Sequence, residues 1–508
     1  MSRLDLVSSA DKGNSWRSLP FRGDLSLERV GAPILLAVSA AFLCLYFLFF
    51  LYRSMVLIRF EYTSDFMESY VLAQTRILAH LGNPYTEANV PPYLGAVYAP
   101  FYMMVLALVA PITGGTYLEG RILSLVSTLL IGALIYSIVK RETRSSKVSL
   151  VSALFFFASN LVYSWSPGYH PDLFGIMLAV AGIAIVQRYQ TSSRIYLVIP
   201  LFALAFFTKQ NLVAAPVAVI AFLLVRDWRL ALRVGGGMLL AVLGLLAVAQ
   251  YLTHGQYLLH VFTFLQSNPI SVMHAIPFVY KLAIMHPILL AFVGCYLFRK
   301  ERDRGHSLLV YWLVAAFFVA LYGSSKEGAW VNYWIELFAG ICILFGLSWH
   351  ALQEQPAHRA GGLSSTFLAA AILMQVLIMF HAPRLPNEIQ KQSFFYHFVE
   401  APTESDRSEN ARLLDLARSA KGTVLSLDGE FWPSKDAGNI ELGPEPFLYP
   451  YLREAKLWNP GPFVDRIRAK EFSLIISRYK AAEYKYEVDN YYEQTDRTEN
   501  YFVYRPRS

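Results

Sequence analysis

Residues 33–52 have the sequence PILLAVSAAFLCLYFLFFLY, which contains no charged residue. A helix needs about 20 apolar residues to cross the roughly 30 Å of hydrocarbon in a bilayer, so this stretch predicts a membrane span. The whole chain shares this character, because 55% of its 508 residues are hydrophobic and only 16% are charged. An average soluble domain has about 25% charged residues. The composition therefore excludes a disordered chain and disfavours a soluble enzyme.

Similar apolar blocks recur along the first three quarters of the chain, with boundaries that the pattern fixes to within about four residues. They predict a mainly α fold, a polytopic transmembrane bundle of about 11 spans. The predicted spans are 33–52, 119–139, 148–163, 172–187, 195–208, 211–225, 232–252, 282–298, 307–322, 332–348 and 363–381.

One further apolar run, 98–111, is short and has prolines at Pro100 and Pro111, so it is either a span or an interfacial helix. If it does not cross, the basic clusters between spans fall on one side of the membrane. The positive-inside rule then favours a cytoplasmic N-terminus. Residues 53–118 become one outer loop with interfacial helices near 66–81 and 98–111. The net charge of +7 resides mainly in these clusters and indicates topology rather than nucleic-acid binding.

The chain beyond the last span is polar and alternates between helical and strand patterns. We therefore predict a cytoplasmic tail over 1–32, a transmembrane domain over 33–381, and a small outer α/β domain over 382–508. Within the outer domain the predicted helices are 405–420 and 463–470, and the predicted strands are 423–427, 472–477 and 501–504.

Two polar clusters follow predicted spans on the outer side. In the first, 61–68, a helix starting near Ser64 places Asp65 and Glu68 on one face. The carboxylates either stabilise the start of the helix or provide a general base at the membrane surface. In the second cluster, His170 and Asp172 either cap a helix after Pro171 or contact a substrate, and spacing does not decide between these.

Two more clusters lie at the same predicted surface. Lys209, with Gln210 beside it, either extends its ammonium to lipid headgroups or binds a phosphate or sugar. The last cluster combines a lysine with a polar helix start. Its Glu lies one turn inside a predicted span, which is costly unless the side chain faces polar space. The candidate residues of this cluster are Lys326, Asn332, Tyr333 and Glu336.

The order of several motifs is more specific than any of them alone. They are Asp65 after the first span, Leu81-Gly82-Asn83-Pro84-Tyr85, Tyr98-Ala99-Pro100, Gly120-Arg121, Thr208-Lys209-Gln210, and Asn332-Tyr333…Glu336. In this order and spacing the chain resembles the polytopic glycosyltransferases of the GT-C superfamily. The resemblance is to the branch of bacterial aminoarabinose transferase and the protein O-mannosyltransferases (glycosyltransferase family 39-like), and it covers most of residues 30–350.

The resemblance implies a donor sugar on a polyprenyl phosphate and attack by an acceptor hydroxyl on the anomeric carbon, with inversion. It implies that Asp65 is the general base or orients the acceptor, and that Lys209 contacts the lipid phosphate or pyrophosphate. His170 and Asp172 would lie near the sugar. Phe66 follows Asp65 where family members often have Glu, and Glu68 is the candidate to replace that residue.

The acidic motifs are less complete than those of the metal-dependent oligosaccharyl branch, so we expect no metal and no other cofactor. The three cysteines, at 44, 295 and 342, lie in apolar runs without metal-ligand spacing.

We therefore predict an integral-membrane glycosyltransferase of the cell inner membrane, acting on a glycan, lipid or protein acceptor. Its other expected partners are the polyprenyl-phosphate-linked sugar and membrane lipid, with no nucleic acid. Two alternatives involve no bond chemistry. A lipid-linked glycan transporter or flippase often shows internal repeats, and none is visible here. A non-catalytic glycolipid-binding subunit would tolerate loss of Asp65.

Overall fold

The computed structural model shows a helical bundle with a small α/β domain at one end. The predicted cytoplasmic tail and the predicted boundary near residue 382 lie largely outside the residues that it describes. The described residues are 25–298, 307–354, 364–380, 401–435 and 438–508.

The bundle contains sixteen described helices, numbered here in chain order. They are α1 (Leu25–Ile58), α2 (Phe66–Ala79), α3 (Phe101–Thr113), α4 (Tyr117–Thr143), α5 (Ser146–Ala158), α6 (Asn160–Trp165), α7 (Asp172–Tyr189), α8 (Val198–Phe206), α9 (Ala214–Arg226), α10 (Trp228–Leu252), α11 (Gln256–Leu258), α12 (Val272–Met285), α13 (Pro287–Leu297), α14 (Ser307–Ser324), α15 (Ile335–Gln353) and α16 (Ser365–Phe380). Short 3₁₀ turns precede α8 and α15, and a π-helical segment follows α11.

The mainly α polytopic architecture is confirmed. Within the described residues, six helices are long and apolar enough to cross a membrane, or seven if the bent pair α12 and α13 counts as one span. The other predicted spans fall on shorter apolar helices, which are α5, α8 with its 3₁₀ turn, α9 and α16. The total of about 11 therefore remains a prediction that counts these short helices as crossings.

The predicted span 282–298 is wrong at its start. It begins inside α12, and α12 meets α13 at an angle of 90°. The break falls at His286, directly before Pro287, because a proline has no N–H to continue the helical ladder and restricts the preceding residue. The predicted span 148–163 is also interrupted, at Ser159, where α5 ends and α6 begins.

The long loop after α1 contains the two expected helices, α2 and α3. Asp65 is the N-cap of α2, and its side chain accepts hydrogen bonds from the Met67 and Glu68 amides. α3 begins after Pro100 and ends at Gly114, which has a left-handed φ of 89°. With 13 residues, α3 has the same length as α5 and α9, so its length does not distinguish an interfacial helix from a span, and its interfacial placement remains a prediction.

The C-terminal domain packs helices against one five-stranded sheet with the order β2-β1-β3-β5-β4. β2, β1 and β3 are parallel, whereas β5 is antiparallel to both β3 and β4. Two strands, β2 and β4, were not predicted from the sequence. The elements are α17 (Glu404–Ser419), β1 (Thr423–Ser426), β2 (Ile440–Leu442), α18 (Tyr449–Glu454), α19 (Gly461–Arg468), β3 (Phe472–Ser477), α20 (Val488–Tyr491), β4 (Tyr492–Arg497) and β5 (Phe502–Pro506).

This domain is fixed to the outer loop by buried hydrogen bonds. The Ser69 hydroxyl of α2 donates to the Gly429 carbonyl at 2.6 Å, and the Tyr70 hydroxyl donates to the Gly443 carbonyl at 3.0 Å. The Tyr117 hydroxyl, at the start of α4, donates to the Trp432 carbonyl at 2.9 Å. The loop 428–434 therefore lies directly on α2, the helix that Asp65 begins.

Gly429 is required for this close approach. Its φ is +71°, and a Cβ there would lie 2.6 Å from Cε2 of Tyr70. We expect Gly429→Ala to loosen the contact by about 1–3 kcal/mol, the usual cost of such backbone strain. Faster hydrogen exchange of the α2 amides measures the effect. Gly438→Ala is the matched control, because a Cβ at Gly438 meets nothing within 4 Å. Equal exchange in both variants would contradict the prediction.

Candidate active site

Asp65 and His170 form a pair at the outer end of the bundle. The imidazole Nε2 lies 2.9 Å from Oδ2 of Asp65, and the histidine ring stacks on Trp165 at 4.3 Å between centroids. The His170 side chain is 2% exposed, whereas that of Asp65 is 37% exposed. Burial lowers the pKa of His170, but the carboxylates of Asp65, Glu68 and Asp172, with Asp65 contributing most, together raise it above its ordinary value.

The partners of Asp65 leave room for a substrate. Oδ1 accepts hydrogen bonds from the Met67 amide at 2.9 Å and the Glu68 amide at 3.3 Å, and Oδ2 accepts one from His170. A carboxylate offers about four acceptor directions. The described contacts therefore leave one direction on a partly exposed oxygen, where an acceptor hydroxyl can bind.

Glu68 is placed differently from Asp65. It is fully buried and pairs with the guanidinium of Arg121, whose Nε and Nη2 donate to its two oxygens at 3.0 and 2.5 Å. The amides of Ser64 and Tyr169 also donate to it, at 2.8 and 2.7 Å. Burial raises the pKa of Glu68, but Arg121 outweighs this and lowers it to about 2. Glu68 therefore holds the outer loop to Arg121 of α4, and a catalytic role for it remains a prediction.

Asp172, Lys209 and Asn332 meet in a second cluster. Asp172 begins α7, and its Oδ1 accepts from the Lys209 ammonium at 2.5 Å and from the Asn332 amide at 2.8 Å. The ammonium also lies 4.8 Å from the ring centroid of Tyr333 and 5.5 Å from that of Tyr98. The structure thus brings together residues from the second, third and fourth sequence clusters. It also pairs Lys209 with a carboxylate, which the sequence did not predict.

A cavity of about 540 Å³ opens beside these two clusters. Of the predicted residues, Lys209, Gln210, Lys326 and Tyr333 line it, and so do Phe66 and Met67 directly after Asp65. One wall is apolar and continues onto α14, where Phe318 and Tyr322 are 61% and 59% exposed. The cavity therefore joins the two lysines to an apolar surface of a membrane-spanning helix, whereas Asp65, His170, Asp172 and Asn332 are not among the residues that line it.

Lys326 contributes the second cation of the cavity. Its ammonium lies 3.4 Å from the Leu265 carbonyl and 5.4 Å from the ring centroid of Tyr322. Within the described residues no carboxylate lies in ion-pair distance of Lys326. Burial lowers the pKa of Lys326. In contrast to Lys209, its charge is not compensated by a neighbouring side chain.

Two predicted residues have mainly structural partners. Glu336 does not line the cavity, and its Oε1 accepts from the indole N–H of Trp312 at 2.8 Å. Gln210 does line it, but its amide nitrogen donates to the Val97 and Val261 carbonyls at 3.0 and 3.1 Å. The Gln210 nitrogen thus joins the first outer loop to the segment after α11, while its oxygen has no described partner.

The sequence predictions missed two carboxyl groups of the C-terminal domain. Glu445 lines the cavity and is 4% exposed, and burial raises its pKa to about 8. Burial also raises the pKa of Glu430 to about 8, with Asp428 and Asp65 adding to the increase and Arg478 opposing it. Glu430 directly follows Gly429 in the loop on α2. Neither glutamate belongs to a motif that distinguishes it in the sequence.

The described residues contain no group of three or more His, Cys, Asp or Glu side chains that could hold a metal ion. A reaction without metal or other cofactor remains a prediction.

Comparisons with known proteins bear on the family and the fold of the chain. Residues 97–254 match the family described as dolichyl-phosphate-mannose-protein mannosyltransferase. This segment contains Arg121, His170, Asp172, Lys209 and Gln210. A comparison with curated protein sequences gave no match.

The fold is shared with two solved structures of ArnT across almost the whole chain. ArnT from Cupriavidus metallidurans bound to undecaprenyl phosphate has a TM-score of 0.58 and 13% identity, covering 92% of this chain and 97% of that one. ArnT in the apo state has a TM-score of 0.58 and 12% identity, with the same coverage of both chains. A weaker likeness is found to the oligosaccharyltransferase of Archaeoglobus fulgidus in complex with Zn and sulfate. Its TM-score is 0.46 and its identity 11%, and the match covers 90% of this chain and 73% of that one.

The resemblance predicted from the sequence motifs is thus confirmed. The matched family and the ArnT structures are glycosyltransferases of the GT-C type. The chain is a multi-pass membrane protein with the GT-C glycosyltransferase fold.

Proposed function

We propose that this protein transfers a sugar from a polyprenyl-phosphate donor to an acceptor hydroxyl at the outer end of its helix bundle. The observation that carries the proposal is the cavity, which joins two lysines to an apolar wall on α14 and is also lined by Phe66 and Met67, the two residues that follow Asp65. Such a shape suits a ligand with an anionic group between an isoprenoid tail and a polar sugar. The ArnT structure with undecaprenyl phosphate supports this class of lipid.

In the proposed reaction, the acceptor O–H donates a hydrogen bond to the free direction of Asp65 Oδ2. Asp65 takes the proton as the hydroxyl oxygen attacks the anomeric carbon. The bond from that carbon to the phosphate oxygen breaks, and the electron pair leaves with the polyprenyl phosphate. One displacement inverts the anomeric configuration. His170 holds the carboxylate in place and stabilises its negative charge before it accepts the proton.

The leaving phosphate gains negative charge as the bond breaks, so preorganised cations favour the transition state. Lys326 is suited to this role because no described carboxylate neutralises it. Lys209 is held by Asp172 and lies between the Tyr98 and Tyr333 rings. We propose that both lysines contact the phosphate, with Lys209 fixed in position by its ion pair.

We further propose that the active site faces outward, with the C-terminal domain outside and residues 1–32 in the cytoplasm of a cell with an inner membrane. The support is the position of three basic clusters, 140–147, 188–194 and 226–233. They lie at the helix ends opposite Asp65, as the positive-inside rule requires for cytoplasmic loops. An impermeant reagent that fails to reach the C-terminal domain in intact cells would contradict this orientation.

Turnover in proteoliposomes tests the proposed reaction. Purified protein is given a panel of polyprenyl-phosphate sugars with an envelope acceptor fraction, and release of free polyprenyl phosphate is followed. We expect release with at least one donor. Saturable donor binding without release would favour a transporter or a glycolipid-binding subunit instead.

In the same assay Lys326→Met should raise the donor KM by roughly 10- to 100-fold, the value of one charge-assisted hydrogen bond. Lys480→Met is the control, because Lys480 is exposed and lies in the C-terminal domain away from the cavity. A donor KM for Lys326→Met that equals that of the control would remove Lys326 from the phosphate site.

A further inference from the structure

The C-terminal domain provides part of the cavity wall through residues 445–448. Glu445 is the polar member of this segment, and the other residues that line the cavity are Phe447 and Leu448. Oε1 of Glu445 accepts a hydrogen bond from the Phe447 amide at 3.2 Å. Oε2 is buried and has no hydrogen-bond partner among the described residues. A buried polar atom without a hydrogen-bond partner destabilises the protein by about 1–3 kcal/mol. A ligand that supplies the missing partner therefore gains affinity.

Two side-chain amides that line the same cavity, those of Asn268 and Gln210, also have a buried oxygen without a described hydrogen-bond partner. The Asn268 nitrogen donates to the Glu327 and Phe447 carbonyls at 3.0 and 3.5 Å, which fixes the orientation of the amide. The Gln210 nitrogen is likewise engaged by two carbonyls. The oxygens of both side chains are therefore free acceptors, and neither has a partner among the described residues. Gln74 and Asn211 add two further unpartnered oxygens to the cavity lining.

The chemistry of these groups indicates what they bind. Amide oxygens only accept hydrogen bonds, so their partner must carry several N–H or O–H donors. Burial raises the pKa of Glu445 to about 8, and the protonated form of a carboxyl group can both donate and accept. A phosphate has no hydrogen to offer to the amide oxygens and is suited to the lysines. A polyhydroxylated ring has donors on several sides, and it can occupy the space between these acceptors.

We infer that Glu445, Gln210 and Asn268 form the subsite that binds the hydroxyl groups of the donor sugar, so that the C-terminal domain helps to determine sugar specificity. This inference rests on the proposed function. It assigns to the domain a direct contact with substrate, in addition to its packing on α2. Glu445 is then a specificity-determining residue, because it is a residue of the C-terminal domain that lines the same cavity as Gln210.

Glu445→Leu tests the inference, since it removes both the donor and the acceptor. We expect the affinity for polyprenyl-phosphate sugars to fall about 5- to 30-fold, the value of one to two hydrogen bonds. Affinity for polyprenyl phosphate without sugar should be unchanged. Glu445→Gln, which keeps the shape and an acceptor, should recover most of the loss. Glu454→Leu is the control, because Glu454 is an exposed glutamate of the same domain.

Donors that lack single hydroxyl groups sharpen the test. One of them should bind equally to wild type and Glu445→Leu, because the contact that the variant removes is already missing from the ligand. Equal affinity of wild type and Glu445→Leu for every sugar-bearing lipid would overturn the inference, as would an equal loss for the lipid without sugar. These are binding measurements, so they decide the subsite even if wild type binds donors without turning them over, which would refute only the proposed reaction.

Discussion

Asp65→Asn should reduce the rate of sugar transfer about 10²- to 10⁴-fold, the usual contribution of a general base. Asparagine keeps the shape and cannot accept the proton of the acceptor hydroxyl. The protein should remain folded, because asparagine is as good an N-cap as aspartate and can still accept the Met67 amide hydrogen bond. The initial rate of polyprenyl phosphate release in proteoliposomes measures the effect.

Glu61→Gln is the matched control for this variant. Glu61 is exposed and lies four residues before Asp65, and its backbone carbonyl, not its side chain, accepts from the Ser434 amide. Removing its charge should leave transfer near the wild-type rate. If Asp65→Asn turned over at the rate of the control, Asp65 would not be the base, and Glu430, its neighbour in the C-terminal domain, would be the next candidate.

Arg121→Lys should destabilise the protein by about 3–5 kcal/mol, as expected when a buried ion pair loses its geometry. Arg121 donates to both Glu68 oxygens and to the carbonyls of Leu57, Phe60 and Tyr62, all within 3.0 Å. These contacts use all five N–H donors of the guanidinium, whereas a lysine has three on a single nitrogen. The Glu68 carboxylate and at least one carbonyl would remain buried without full compensation.

The midpoint of thermal unfolding in detergent should fall by several degrees for Arg121→Lys. Arg59→Lys, at an exposed position near the end of α1, should unfold like wild type. An unchanged midpoint for Arg121→Lys would mean that the outer loop does not depend on this ion pair for its structure.

The fold was largely predictable because its signals are local. Most apolar blocks form one helix each, and the sequence from Ser64 onward forms α2 with Asp65 as its cap. The bend at His286 could have been predicted from Pro287, which interrupts an apolar run. β4 was not predictable, because its residues YEQTDR are polar and pair only with β5 at the edge of the sheet.

The sequence identified individual residues of the site but not the pairs that they form. Costly polar side chains at the ends of apolar helices identified Asp65, His170, Asp172, Lys209 and Asn332. Their pairing depends on tertiary packing, so the sequence could not indicate that Asp172 neutralises Lys209 or that Arg121 buries Glu68. Glu445 lies between two prolines in a polar domain, where a glutamate is ordinary. Only the docking of that domain on the outer loop places its carboxyl in the cavity.

The most direct test of the account is the anomeric configuration of the product that the purified protein forms in proteoliposomes from a polyprenyl-phosphate sugar of known configuration. We expect free polyprenyl phosphate to be released in an amount equal to that of a product with inverted configuration. Inversion is the result of a single displacement at the anomeric carbon, and Asp65→Asn tests separately whether Asp65 is the base. A product of retained configuration would require a covalent intermediate on the protein. Donor binding without any product would show that the chain does not perform the transfer.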